Sequence, residues 1–381
     1  MEYSEEEVAQ YLQEEDVKFI RLAFCDVFGR QKNISIMPGE LERAFERGIA
    51  IDASAIPGFE GTAGGELFLR PDPGTLVPLP WRPEHGRVVQ MFTSLHLPDG
   101  TICESDTRSL LLRAAADAAA AGLDLVFDTR QNFYLFRLDE EGEPTDIPCD
   151  RAGYMDIAPD DRCENVRREI CLTLERMGVH PQSSYHEKGP GQNEIVFRPS
   201  DAITAADNIM LFQRVVSAMA FRNGFHADFS PKPIAQQPGN GFHIGMSPGP
   251  LASDATLQAM VAGMLGHLAA MTVFLDPVER SYERLARDLS SDGLSRLVGV
   301  PVADGQRFAV FHSPDPSANP YLALALMIWA GIEGLGECHG KDEAAAPTLP
   351  ATLEEARLRA ASSDLISAHI PSPVLSSYRI G

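Results

Sequence analysis

Positive charge is what this 381-residue chain lacks most: Lys and Arg total 32 against 54 Asp and Glu, a formal net charge of −22. A general partnership with nucleic acid or with an anionic membrane needs clustered Lys and Arg, so both are excluded as partners. Cysteine is sparse as well. The six, Cys25, Cys103, Cys149, Cys163, Cys171 and Cys338, form no CxxC pair. Zinc-ribbon and thioredoxin-like readings therefore fail, and reduced thiols in a cytoplasmic protein are expected. The longest apolar run, within 265–275, is broken by His267 and is too short to span a bilayer. The acidic opening Met1-Glu2-Tyr3-Ser4-Glu5-Glu6-Glu7 does not read as a signal peptide. No GxGxxG follows a strand and there is no Walker loop, so a nucleotide would need another kind of pocket.

What is present fills two domains. Ser4 followed by three acids predicts a capped helix to about Glu15. The alternation over 17–24, the turn Asp26-Val27-Phe28-Gly29 and the stretch 31–36 predict a hairpin. A short helix over 38–47, a glycine-dense loop over 55–65 and a strand within 86–97 complete a small unit, residues 1–104. Residues 105–381 hold a long Ala-rich helix to Ala121, strands over 123–127 and 132–137, and helices over 161–178, 201–223, 257–275 and 319–333. The strands lack βαβ regularity, so the class is α+β with an antiparallel sheet.

The second unit centres on Ser183-Ser184-Tyr185-His186-Glu187-Lys188-Gly189-Pro190-Gly191-Gln192-Asn193-Glu194-Ile195-Val196-Phe197. Strand alternation puts Glu194, Val196 and Arg198 on one face. Glu187 and Glu194, aimed at one place, repel unless a cation or proton joins them. Two readings stand at this point: a metal site, or two solvated glutamates at the ends of a hairpin.

Several further stretches occur in order. They are Ile51-Asp52-Ala53-Ser54-Ala55-Ile56-Pro57-Gly58-Phe59, Ala227-Asp228-Phe229-Ser230-Pro231-Lys232-Pro233, Gly239-Asn240-Gly241-Phe242-His243 and Asp315-Pro316-Ser317-Ala318-Asn319-Pro320-Tyr321-Leu322-Ala323. With the central stretch, the chain resembles the glutamine synthetase family over nearly its whole length. The resemblance implies an N-terminal β-grasp-like domain and a catalytic domain whose antiparallel sheet lines a funnel for two Mg or Mn ions, ATP and glutamate. It implies ATP-dependent ligation of ammonia to glutamate through a phosphorylated intermediate, with hard cations held by oxygen-rich ligands. It also implies a homo-oligomer, hexameric or double-ring, with active sites between neighbours.

Carried over position by position, the resemblance makes Glu187, Glu194 and His243 metal ligands. Asp52, Arg284 and His312 fall at catalytic positions and Ser247 at a cofactor-binding one. Three ligand positions are substituted: Arg130 and Asn132 stand where the family has a strand with two metal glutamates, and Val310 where it has a third. Phe308 and His312 occupy arginine positions. The stretch 284–301 is collapsed, the flap glutamate is missing, and Arg296 aligns only loosely with a phosphate arginine. The chain is expected to stop short of the family's C-terminal helices. Arg130 is expected to pair with Glu187 or Glu194 and fill the vacant metal position. These departures predict a silent member kept for assembly, regulation or sensing, alone or with an active paralogue, holding at most one metal. The alternative is a repurposed enzyme in which His186, Glu187, Glu194, His243 and His312 gather around one transition metal without ATP. Ordinary glutamate–ammonia or amine ligase activity ranks last.

Overall fold

The computed structural model describes residues 3–60, 65–81, 85–288, 297–303, 306–336 and 348–380. Arg296, with the rest of 289–296 in the collapsed stretch, lies outside them.

The first unit opens with α1 (Glu5–Glu14), which starts as its sequence dictates. Ser4 accepts from the Glu7 amide and Glu7 reaches back to the Ser4 amide, a complete capping box. Strands β1 (Val17–Cys25), β2 (Gln31–Ile36), β3 (Ile49–Asp52), β4 (Glu66–Pro71), β5 (Val77–Pro78) and β6 (Arg87–His96) form one sheet in the order β2-β1-β6-β4-β3, with β5 on β6. β1 runs parallel to β6, which makes the fold a β-grasp rather than a simple meander. Helix α2 (Leu41–Arg47) covers it. Ile20, Leu22, Leu67, Leu69, Met91 and Leu95 fill its core.

The second unit is built on β7 (Val126–Leu138). Two strands separated by a break were expected here; the structure makes one, because no glycine or proline interrupts the stretch. Around it stand β8 (Pro144–Pro148), β9 (Pro181–His186), β10 (Gln192–Phe197), β11 (Phe225–Asp228), β12 (Phe242–Ser247), β13 (Val298–Gly299) and β16 (Ala309–Phe311). Their order is β13-β16-β12-β7-β10-β9, with β8 and β11 also on β7, and every pairing is antiparallel. β14 (Val302–Ala303) and β15 (Gln306–Arg307) make a separate ribbon.

Helices α3 (Thr107–Ala120), α4 (Glu164–Arg176), α5 (Ala202–Arg222), α6 (Asp254–Leu275), α7 (Glu279–Asp288) and α8 (Pro320–Gly336) pack against this sheet and each other. α6 is long and apolar enough to cross a membrane, and most of it is buried inside the fold. It lies backbone to backbone on α8. A Cβ at Gly263 would stand 2.2 Å from the Ala330 carbonyl oxygen, and one at Gly334 2.2 Å from that of Ala259. Only glycine permits this approach.

The C-terminal stretch, for which the sequence predicts no element, is helical. Residues 353–377 form three short helices, α9 (Leu353–Ala361), α10 (Asp364–His369) and α11 (Ser372–Ser377). The buried Tyr378 after them donates to the Val27 carbonyl of the first unit at 3.1 Å. The two units are also bolted together by Arg108. Its guanidinium bonds Asp207 and Asp72 at 2.9 Å each, and Tyr321 donates to Asp207 at 2.6 Å.

Reduced thiols throughout were expected. Instead Cys149 and Cys163, at the ends of the loop between β8 and α4, are joined. The loop folds back on itself and brings together two residues that are 14 apart in sequence.

Candidate active-site face

Register across the second sheet decides which side chains meet. Tyr185, Glu194 and Asn132 lie side by side on β9, β10 and β7. One step along the same face, His243 on β12 pairs with Arg130, and beyond it Gly245 pairs with both Asp128 and Val310. Because side chains alternate, Asp128, Arg130, Asn132, Glu194, Tyr185, His243 and Val310 share one face. These seven positions come from five separate strands, and His312 follows directly after β16.

Glu194 is 2% exposed and both its oxygens are engaged. Tyr185 donates its hydroxyl to Oε1, and Asn132 donates Nδ2 to Oε2 at 2.6 Å. The other side of the Asn132 amide accepts from the Gly241 amide at 3.0 Å, so Asn132 locks Glu194 to β12. Burial raises the Glu194 carboxyl above the usual range, and the charge of Glu187 pushes the same way. Burial also raises Glu187, which accepts from the Lys188 amide at 3.0 Å. The Tyr185 hydroxyl is held well above its usual range by burial and then by the Glu194 charge.

Arg130 does not pair with Glu187 or Glu194 as expected. Its Nη2 bonds Asp128 Oδ2 at 3.0 Å. Asp128 is two residues back on the same strand, hence on the same face and nearer than either glutamate. The fit is incomplete: Arg130 Nε and Asp128 Oδ1 are buried with no hydrogen-bond partner.

His243 and His312 face each other, Nδ1 to Nδ1 at 2.9 Å, with ring centroids 4.8 Å apart. One ring donates and the other accepts. Desolvation lowers both, and the positive charges of Arg130 and Arg284 add to it. Both rings are therefore neutral near pH 7, a form suited to proton exchange or metal ligation.

His186 cannot join this group. It alternates with Tyr185 and points to the opposite face, fully buried, where Nε2 meets Asp150 Oδ1 at 2.9 Å and Nδ1 meets the Glu187 carbonyl at 2.6 Å. Among the described residues, the sets of three or more His, Cys, Asp or Glu whose ligand atoms lie within 4.8 Å are Cys149–Asp150–Cys163 and Asp150–Asp161–His186. Both are on that opposite side; Glu187, Glu194, His243 and His312 form no such set.

The remaining positions scatter. Ser247 ends β12, buried. Arg284 is 3% exposed and bonds Asp276 at 3.2 Å, with further bonds to the carbonyls of His312 and Ser313. It thus fixes the strand end that carries His312. Asp52 is exposed at the end of β3 and accepts from the Ser54 amide at 2.9 Å. No contact among the described residues joins it to Glu187 or Glu194. Sequence reasoning missed Tyr185 and Asp128, although both were within reach: Asp128 lies at i−2 from Arg130, and Tyr185 flanks the motif histidine.

The glutamine synthetase catalytic-domain model matches residues 104–379 and the glutamine synthetase β-grasp-domain model residues 16–98. The chain is 39% identical over 354 residues to a glutamine synthetase of Clostridium saccharobutylicum, covering 87% of this chain and 80% of that one. It is 36% identical over 353 residues to a glutamine synthetase of Methanosarcina mazei, covering 87% and 79%. Two solved structures share the fold at lower identity. Ligand-free GmaS superposes with a TM-score of 0.84, at 24% identity over 97% of this chain and 93% of that one. GmaS in complex with ADP gives 0.85, at 23% identity over 98% and 94%. With both domains matched and the register of its sheet described, the chain belongs to the glutamine synthetase family.

Proposed function

We propose that this family member does not ligate ammonia to glutamate, and serves instead as a non-catalytic subunit in a cytoplasmic ring assembly, with copies of itself or with an active paralogue. The observation that carries this reading is the occupation of Glu194. A carboxylate that must ligate a dication has its two oxygens taken by Tyr185 and Asn132.

The neighbouring groups support it. Two hard cations with ATP ask for several oxygen ligands. The same face offers a guanidinium at 130, an amide at 132 and an isopropyl group at 310. A dication about 4 Å from the Arg130 charge would meet repulsion on the order of 4 kcal/mol per unit charge at intermediate dielectric. The residues present do not fit two Mg or Mn ions, and no step is derived through them. Calorimetric titration with MgCl2 and MnCl2, beside ATP-dependent phosphate release with glutamate and ammonia or methylamine, tests the reading. Neither metal binding in the micromolar range nor turnover is expected; two tight sites with phosphate release would sink it.

The neutral His243–His312 pair favours a second reading, a remodelled single-metal enzyme without ATP. Forming that site requires the two rings to separate and Glu194 to release Tyr185. Zinc or iron co-purifying at one per chain, lost in His243→Ala, would select it.

A further inference from the structure

We propose that the 149–163 loop, closed by the Cys149–Cys163 bond, is a thiol-sensitive clamp on the Glu187 turn. This goes beyond the reading above and does not rest on it.

Each cysteine lies within two residues of an aspartate that is tied to the β9–β10 hairpin, Asp150 directly and Asp161 through Arg167. Asp150 follows Cys149 directly. Its Oδ1 accepts from the Gly191 amide at 2.9 Å and meets His186 Nε2 at 2.9 Å, while Oδ2 accepts from the Arg162 amide at 3.1 Å. His186 and Gly191 flank the turn that presents Glu187. Asp161 stands two residues before Cys163 and accepts from the Cys163 amide at 3.0 Å. It pairs with Arg167, whose Nη1 bonds Asp161 Oδ1 at 3.2 Å and Asn193 Oδ1 at 2.7 Å. Asn193 precedes Glu194. Between the two anchors the loop touches the hairpin again, through the Met155 amide on the His186 carbonyl at 2.9 Å.

The anchors are buried and the intervening residues 154–160 are exposed. The loop therefore has solvent on one side, and its order depends on its ends. The covalent bond removes most of the freedom those ends would otherwise have. A metal at the same place is disfavoured: the oxygens of Asp150 are filled by N–H donors, and Arg167 sits on Asp161. Reduction breaks the bond between the two sulfurs. A dithiol supplies two electrons, both sulfurs take up a proton to become thiols, and the dithiol leaves as its own disulfide. Asp150 and Asp161 then hold their partners from an open loop.

Hydrogen exchange on the full chain, oxidised and after dithiothreitol, tests this. Amides over 186–193 are expected to exchange at least tenfold faster after reduction, with β1 and β6 unchanged, and to recover on reoxidation. Cys149→Ser and Cys163→Ser should match the reduced protein. Asp150→Asn should loosen the turn while the thiol count stays that of the oxidised chain. Unchanged exchange, a bond that yields only together with global unfolding, Asp150→Asn behaving as the parent, or one zinc per chain on the two thiols would each overturn the proposal.

Discussion

The two faces of one hairpin have met different fates. On the front of β9 and β10, Tyr185 and Glu194 share a face with Arg130 and Asp128, whose Nε and Oδ1 are buried without partners. On the back, one residue along, His186 and Asn193 belong to a buried network with Asp150, Asp161 and Arg167, in which both Asp150 oxygens and both Asp161 oxygens are bonded and Arg167 Nε alone lacks a partner. A side-chain period of two separates them completely although they alternate along the same strands. The front pairs a guanidinium with a carboxylate through one bond, whereas the back ties Arg167 to Asp161 through two and to Asn193 through a third.

The sharpest way to break this contrast is to remove one charge from each side. Arg167→Met leaves Asp161 charged and buried with 1% of its side chain exposed. A broken buried pair of this kind costs about 3–5 kcal/mol. Arg130→Met acts on a pair with 27% and 12% side-chain exposure, and a cost of about 1 kcal/mol is expected. Urea unfolding of both variants measures the difference. Equal losses would show that the two faces are energetically alike.

Much of the front face was legible in the sequence, and little of the back. Alternation placed Glu194 correctly, and the resemblance put Arg130, Asn132 and Val310 on the face they occupy. Arg130 bonds Asp128 rather than the expected Glu187 or Glu194, because Asp128 at i−2 shares its strand and its face and the Glu194 oxygens are already taken. Asp150 and Cys163 carry no local signal. Their roles depend on a loop folding back over β9, and nothing in the spacing of 149, 150, 161 and 163 announces that contact. Likewise the helices over 353–377 are short, and their signals are the local caps at Thr352 and Ser363 rather than a long apolar period.

A second test works on the front face alone. Arg130→Glu with Asn132→Glu places two carboxylates on β7 and frees Glu194 Oε2 from its amide donor. If the front face is a metal site altered only at these positions, the double variant should bind Mn2+ at least tenfold more tightly than the parent, about 1.4 kcal/mol. Calorimetry reads this directly. No gain would place the obstacle elsewhere, at Tyr185 or Val310.

The smallest expected effect is the dependence of stability on pH, and here the two faces should have opposite signs. Burial raises Glu194 above its ordinary value near 4.5. Between that value and the folded one, the folded chain keeps a proton that the unfolded chain has released, so stability falls as pH rises through the window. Asp150 is lowered below its ordinary value near 3.8: burial opposes the charge, but the hydrogen bonds from His186, Arg162 and Gly191 outweigh it. Its contribution is present above that value and is lost as pH falls through the folded one. Glu194→Gln should therefore flatten the decline above pH 4.5 and leave the acid limb alone. Asp150→Asn should do the reverse, each by up to about 1.4 kcal/mol per pH unit for one proton. Urea midpoints between pH 3 and pH 8 distinguish them. If both variants moved the same limb, the hairpin would be titrating as one coupled network, and the separation of its faces would be steric but not electrostatic.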